Sequence, residues 1–450
     1  MELTAEWIAA FEQAVRNRDD DYILRITADM YPADISAILH ELNSEDSKYV
    51  IQLLPPNVGA DILSNLEPDI RKEFLQLFTA AEIAAIVEYM DSDDAVDLLN
   101  EQPVRMREEV MALLSEEQSN YIKDLLHYEP TCAGGLMATE LVKANINWTV
   151  QRCIEEIRRQ AENVEKIYSV YVVDDNDILI GRLPLKQIVI AKDYEPIKNL
   201  VIEDVIAVET YRDGEEVAAL MQKYDLEAIP VVNVRGKLLG RITIDDIVDL
   251  IVEQADKDLQ AVSGISEDIE EDDSVWKLTR ARLPWLLIGM LGGILGARFI
   301  GIFERDLSLI PAMAFFIPLI TATGGNVGIQ SSTIVVQSLA EDSSPAVSIW
   351  QRLAKVMLVA LLNGLVISMV VFAFNILIFN KILLAVVVSV ALFSVVILAS
   401  LMGTITPLIL DRFGINPALA SGPFITTAND LLGLAVYFLV ARMIYAVAPL

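Results

Sequence analysis

Apolar residues recur through the first part of the chain at a 24-residue interval. Positions 38, 62, 86 and 110 hold Ile, Ile, Ile and Val, and positions 39, 63, 87 and 111 hold Leu, Leu, Val and Met. Positions 42, 66, 90 and 114 are Leu, Leu, Met and Leu, while 50, 74, 98 and 122 are Val, Phe, Leu and Ile. Within each unit the i, i+1, i+4 spacing makes one helical face, and acidic openings such as NSED, EPD and DSDD suit the start of a second helix. Residues 30–125 therefore read as a helical solenoid. A second repeat has a different grammar. VVDDNDILIGRLPLKQI (172–188) and VVNVRGKLLGRITIDDI (231–247) superpose at an offset of 59, matching Val172 with Val231, Gly181 with Gly240, Arg182 with Arg241 and Ile188 with Ile247. Each reads strand, turn, strand, helix, and the amphipathic stretches VQRCIEEIRRQ and GEEVAALMQKYD lie upstream, giving a βαββα unit twice. After a connector that is acidic and then basic (253–282) come five apolar segments, about 283–303, 309–337, 354–379, 382–410 and 423–447. Each reaches the roughly 20 residues that span a hydrocarbon core.

Composition sharpens this division. The 450 residues are 54% hydrophobic with a mean hydropathy of +0.43, too apolar for an ordinary soluble protein. Residues 1–279 hold 25 Lys/Arg against 58 Asp/Glu, a net of −33, so an acidic soluble half precedes a nearly neutral membrane half. That balance argues against a nucleic-acid partner, whose phosphates need a basic face, and it attracts cations. Cys132 and Cys153, with His40 and His127, suggest neither a disulfide framework nor a zinc site. The opening MELTAEWIAAFEQ lacks a basic stretch followed by an apolar run, so no cleavable signal peptide is expected. Lys277, Arg280, Arg282, Arg352, Lys355 and Arg412 would lie on the cytosolic side, against Arg305, Lys381 and Arg442 outside, if the amino terminus is inside. Five crossings then put the carboxyl terminus outside.

Two membrane segments carry chemistry that lipid does not call for. In PLITATGGNVGIQSSTIVVQ (318–337), a helix on either side of a distortion at Gly324-Gly325 would set Thr323, Asn326, Gln330 and Thr333 on one face. SGPFITTANDLLGLAVYF (421–438) carries Thr426 and Asp430 four apart with Gly433 on the same face, and Asp430 is the only acid well inside a membrane segment. An acid at that depth needs water or a partner, so it marks a candidate site for a cation. Arg298 sits near the end of another segment and would snorkel. Ser331 and Ser332 read as bonds across a helix contact. Carbonyls freed at the glycines, amide oxygens and one carboxylate form a hard, oxygen-only ligand set suited to Mg²⁺, Ca²⁺ or Mn²⁺. In a dimer, one Asp430 from each subunit would balance one divalent ion.

The stretch YDLEAIPVVNVRGKLLGRITIDDIVDLI resembles tandem cystathionine-β-synthase (CBS) domains, a class of regulatory sensor. Thr243 and Asp246 resemble the positions that often hold an adenosine ribose there, whereas the first copy has Pro184 and Gln187. One nucleotide site at most, for ATP, is thereby implied, with a purely structural pair as the alternative. The whole order resembles the MgtE family of bacterial magnesium channels. The implied fold is a multidomain integral membrane protein: an N-terminal all-α superhelical repeat domain (1–130), tandem α+β CBS domains (136–198 and 199–256), an acidic connecting helix (257–280) and a transmembrane domain of five helices (281–450).

That resemblance implies a homodimer in the bacterial inner membrane, with soluble domains in the cytosol, a Mg²⁺-selective pore between subunits, and closure when cytosolic Mg²⁺ binds among the soluble domains. The pore carboxylate maps onto Asp430 and the glycine-rich pore segment onto Gly325, Asn326 and Thr333. Gln330 and Thr426 complete the expected path. Matching acidic sensor positions are Asp61, Asp93, Asp97, Asp213, Glu215, Asp225 and Asp246, whose mutual repulsion a divalent ion would relieve. The chain departs from the family pattern at Ile329, at Asn416-Pro417, and in the connector at Gln254 and Lys257. A proton-coupled or sodium-coupled exchanger and a receptor without transport remain alternatives. An enzyme is not expected, since no nucleophile–base arrangement, Walker loop or transition-metal motif is present.

Overall fold

The 24-residue period folds into ten short helices, from Ala5–Arg16 to Glu116–Leu125. Its positions 38, 62, 86 and 110 are all buried, as are 39, 63, 87 and 111 and also 50, 74, 98 and 122, so the repeat forms one continuous core. Burying each such side chain contributes roughly 1.5–3 kcal/mol. Local chemistry starts several of the helices. Asn43, Thr79 and Ser115 each accept a hydrogen bond from the amide three residues on, and Thr79 with Glu82 closes a capping box. The expected starts at EPD and DSDD form without a side-chain cap; Pro68 at the first turn supplies the preset φ in the first case.

The structure is a computed structural model describing residues 5–447 except 162–163, 165, 267–268, 270–272, 341–348 and 421. It divides into two compact units, Met1–Ile251 and Val252–Leu450. Besides the helical repeat, the first unit holds two three-stranded sheets. Lys143–Asn145 pairs parallel with Val170–Val173, which pairs antiparallel with Leu179–Leu183. Val208–Glu209, Ala228–Val232 and Leu238–Thr243 repeat that order. The offset of 59 holds at the level of pairing: Val172 faces Gly181 and Val231 faces Gly240, and each ladder shifts register one residue later. The two sheets join through their turns, where Leu179 N–H donates to Gly236 O and Leu238 N–H to Asp177 O, both at 2.9 Å.

In the second unit five helices are long and apolar enough to cross a membrane: Val275–Ile302, Pro311–Leu339, Trp350–Phe379, Ile382–Arg412 and Pro423–Val447. The fourth is central. Its Val387, Val388, Ala391, Leu392 and Val395 are buried with Ile320 of the second helix and Leu434, Tyr437 and Phe438 of the fifth. Tyr437 places its hydroxyl in this core and donates to Met313 O at 2.9 Å. The first helix leaves Leu286, Leu291, Ile294 and Leu295 exposed, as a lipid-facing or partner-facing helix would.

The connector differs from the expected helix over 257–280. One helix runs from Ile244 to Ser263, already under way in the second CBS copy, and stops where Gly264 takes φ +78°, a conformation that suits a residue without Cβ. Part of the expected segment, 267–268 and 270–272, lies outside the described residues. The first membrane helix then begins at Val275, with Ser274 accepting from Lys277 N–H at 3.3 Å, so the basic turn KLTRAR belongs to it.

Candidate ion path and acidic cluster

The second membrane helix does not break at its glycines. Ile317–Ala340 is continuous, so no carbonyls are freed at Gly324-Gly325. In an apolar core an unpaired backbone group is costly, and the glycines serve close helix approach instead. A Cβ on Gly325 would stand 3.2 Å from Thr426 Cγ2 and 3.7 Å from Asp430 Oδ1. Gly325 thus lets Thr426 of the fifth helix pack tightly against the second, with Asp430 beside it at ordinary contact range.

Along that second helix Asn326, Gln330 and Thr333 are exposed, while Thr323 is half-buried beside the buried Gly324 and Gly325. The expected polar face therefore exists, opening to the outside of the single chain. Asp430 and Thr426 are half-buried at its edge. The Thr426 hydroxyl bonds back to Gly422 O at 3.3 Å, while among the described residues the Asp430 carboxylate has no hydrogen bond or ion pair. Gly433 lies elsewhere, against Val395 and Ile320. Ser332 does not make the expected bond across helices; its buried hydroxyl has no partner among the described residues. Ile329 is half-buried.

In the first unit, acids from the helical repeat and the second CBS copy come together. Burial first, and then Asp94, Asp246 and Asp91, hold the Asp93 carboxyl well above the usual range. Burial likewise pushes Asp246 up to about 6, against the two bonds it accepts from Thr243, at 2.6 Å from Oγ1 and 3.1 Å from the amide. Asp94 is raised by burial, with Asp249 and Asp245 adding to it and Arg71 opposing. Asp249 is raised by burial and by Asp245. Nearby, Ser92 Oγ donates to Glu140 Oε2 at 2.8 Å and accepts from Thr139 N–H at 2.8 Å, tying the repeat to the first turn of the CBS pair. The sequence does not single out Asp94 and Asp249, although Asp94 adjoins Asp93 and Asp249 lies three residues after Asp246 on one helix.

The other expected sensor residues sit apart. Asp61 and Asp97 are exposed on the helical repeat. Asp213 caps the helix Gly214–Tyr224, accepting from Glu215 N–H at 2.9 Å, and Asp225 ends that helix in the left-handed region at φ 53°. Those two acids flank eleven residues, about 16 Å of helix, too far to share one ion within a chain. Glu215 is exposed in the first turn. Among the described residues no three carboxylate, thiol or imidazole groups converge as metal ligands.

The candidate nucleotide pair is also engaged: Asp246 is occupied by Thr243 and faces the acidic cluster. A cavity of about 430 Å³ lies elsewhere in the CBS pair, lined among others by Tyr168, Tyr171, Arg182, Asp204, Tyr224 and Glu227. In the second unit two of the departures from the family pattern share a partner. Asn416 donates to Asp258 Oδ1 at 3.2 Å, Gln254 to the same oxygen at 3.3 Å, and Lys257 pairs with Glu253.

Residues 317–440 match a family described as MgtE, divalent cation transporter; 30–131 match the MgtE intracellular N domain; 133–193 and 197–253 match CBS domains. Among full-length relatives, the magnesium transporter MgtE of Thermus thermophilus is 32% identical over 97% of this chain and 98% of its own length. That of Bacillus subtilis is 30% identical over 94% and 97%. Two solved structures resemble the soluble half: the soluble part of a magnesium transporter (32% identity, TM-score 0.52, covering 56% of this chain and 98% of that one), and the cytosolic domain of the Mg²⁺ channel MgtE in complex with ATP (31%, TM-score 0.52, 54% and 99%).

Proposed function

Because the chain belongs to the MgtE family of magnesium transporters, membrane proteins with a CBS pair, we propose that it conducts Mg²⁺ down its electrochemical gradient and that cytosolic Mg²⁺ closes it. One observation carries the pore assignment: Asp430, an acid without a protein partner among the described residues, faces Gly325 of the second helix beside an exposed row of amide and hydroxyl groups at Asn326, Gln330 and Thr333. A polar row on the outside of a membrane unit calls for cover, and a second copy supplies it by pairing the two rows and the two Asp430 carboxylates around one path.

Closure falls to the acidic cluster. Asp93, Asp94, Asp246 and Asp249 are carboxylates held together at a cost in repulsion and desolvation, which a divalent cation between repeat and CBS pair would offset. Asp61, Asp97, Asp213, Glu215 and Asp225 are the outer acids that would add ions between subunits. ATP is assigned to the CBS cavity beside Tyr168, Arg182 and Asp204 rather than to Thr243 and Asp246. The site is the bacterial inner membrane, with the soluble domains cytosolic and the carboxyl terminus outside, as the basic residues near the helix ends favour.

Mg²⁺ uptake by proteoliposomes under imposed gradients tests the reading. Flux should follow the Mg²⁺ gradient and voltage, and Asp430→Ala should abolish it while the protein still inserts and dimerises. Flux that instead tracks a proton or sodium gradient, or normal flux in Asp430→Ala, would overturn it.

A further inference from the structure

One residue before Asp430, the fifth membrane helix carries an amide that lipid would not select. Asn429 is 2% exposed, and its Nδ2 has no hydrogen-bond partner among the described residues. An unpaired buried donor is unfavourable, and an apolar side chain would avoid that penalty. What distinguishes the position is its wall. A Cβ on Gly328 of the second helix would fall on the Asn429 carboxamide and lie 2.9 Å from Ile425 Cγ2. From the other side, a Cβ on Gly403 of the fourth helix would fall on the Gly328 carbonyl oxygen and stand 2.9 Å from Ser331 Cβ. The slot is thus bounded by backbone, which cannot rotate away as a side chain can.

Gly325, which faces Thr426 closely and Asp430 at ordinary contact range, lies one turn before Gly328, which faces Asn429. Together they define two successive points of engagement between the same two helices. Sliding the fifth helix along the second would unseat Asn429 and carry Asp430 past Asn326 and Gln330. We propose that Asn429 is a positioning residue for ion passage: seated on Gly328, its carboxamide sets the axial register of the Asp430 carboxylate against the polar row of the second helix. The inference rests on the reading of that row and Asp430 as the ion path. Asn429 itself is buried away from the row and does not touch the ion.

The test uses the full chain in proteoliposomes, with Gly328→Ala, Asn429→Ala and the pair combined, measuring maximal Mg²⁺ flux, half-saturating Mg²⁺ and the preference for Mg²⁺ over Ca²⁺. Gly328→Ala forces a methyl into the amide and should lower maximal flux by about tenfold. Asn429→Ala should leave insertion intact and maximal flux within about twofold, while half-saturating Mg²⁺ rises roughly threefold and the Mg²⁺ preference falls, because the acid is no longer held in register. In the combined variant the added methyl occupies the space the amide vacates, and maximal flux should recover to within about threefold of the unmutated protein. Asn429→Ser serves in place of the alanine variant if that one does not insert. Unchanged half-saturation and preference in the Asn429 variants, or simple additivity in the combined variant, would overturn the proposal. Failure of the path reading looks different: no Mg²⁺ flux in the unmutated protein, or normal flux in Asp430→Ala.

Discussion

Replacing Asp246 by Asn isolates the strain that the acidic cluster stores. The carboxyl sits near 6 in the folded chain, about 2 units above its unfolded value, so ionising it at pH 7.5 costs the native state roughly 3 kcal/mol. Asn keeps an acceptor for Thr243 but a weaker one than a carboxylate, a loss of about 1 kcal/mol. The net expectation is a gain of about 2 kcal/mol, which in a fragment of this size raises the melting temperature by roughly 4–8 °C. The sign with pH follows from proton binding. A carboxyl raised on folding binds more protons in the native state, so the unmutated protein loses stability as pH rises through the window from about 4 to 6 and regains it on acidification. The Asn variant should therefore lead at pH 7.5 without divalent ions and lose that lead by about pH 4, the foot of that window. Saturating Mg²⁺ at pH 7.5 should also erase it, since only the parent keeps the full ligand set. Thermal unfolding of residues 1–263 followed by circular dichroism gives all three comparisons. An Asn variant melting at or below its parent at pH 7.5 in chelator would refute the claim that this carboxylate is held under strain.

Three further outcomes follow from the same geometry. Neutralising Asp93, Asp97 and Asp246 together should raise the cytosolic Mg²⁺ needed for closure without changing single-channel conductance, because a ligand shifts an equilibrium only by its differential affinity; open probability in patch recordings reads this, and open probability indifferent to Mg²⁺ in the unmutated protein would remove the sensor role. Millimolar Mg²⁺ should slow proteolysis of the soluble half more than K⁺ at matched ionic strength, and equal protection would reduce the effect to screening. Tyr437→Phe, which strips the bond to Met313 O and leaves a buried carbonyl without that donor, should destabilise the membrane unit by about 1 kcal/mol in detergent unfolding, with insertion unchanged.

What the sequence disclosed depended on periodicity. The core positions of the solenoid and the paired valines and glycines of the two CBS copies repeat at fixed intervals, so spacing alone places Ile38 in a core and Val172 on a strand. Asp430 was legible because a lone acid stands out in apolar surroundings. The glycines of the second membrane helix misled in the opposite sense: Gly324-Gly325 suggests a break, yet a backbone in an apolar core keeps its hydrogen bonds, and the glycines meet Thr426, Asp430 and Asn429 instead. Burial of an acid leaves no such mark. Asp93 and Asp94 share the acidic run DSDDAVD with the exposed Asp97, and only the fold separates them. Asp213 and Asp225 had a readable alternative, since an acid before GEEV is a helix cap and a residue after the last helical Tyr is a stop.

The unbroken second membrane helix bears on what an ion sheds in transit. Its carbonyls are occupied by its own amides, so a cation moving along Asn326, Gln330 and Thr333 meets only side-chain oxygens, separated by seven residues, or about 10 Å of rise. So sparse a lining cannot replace the six waters of an octahedral ion. On the path proposed above, an ion would travel with most of its hydration shell, and the row would discriminate by the size and rigidity of that shell rather than by bare ionic radius. Dehydration would then contribute little to the barrier, the temperature dependence of conduction would stay close to that of diffusion in water, and ions that exchange their waters slowly would pass as readily as those that exchange them fast.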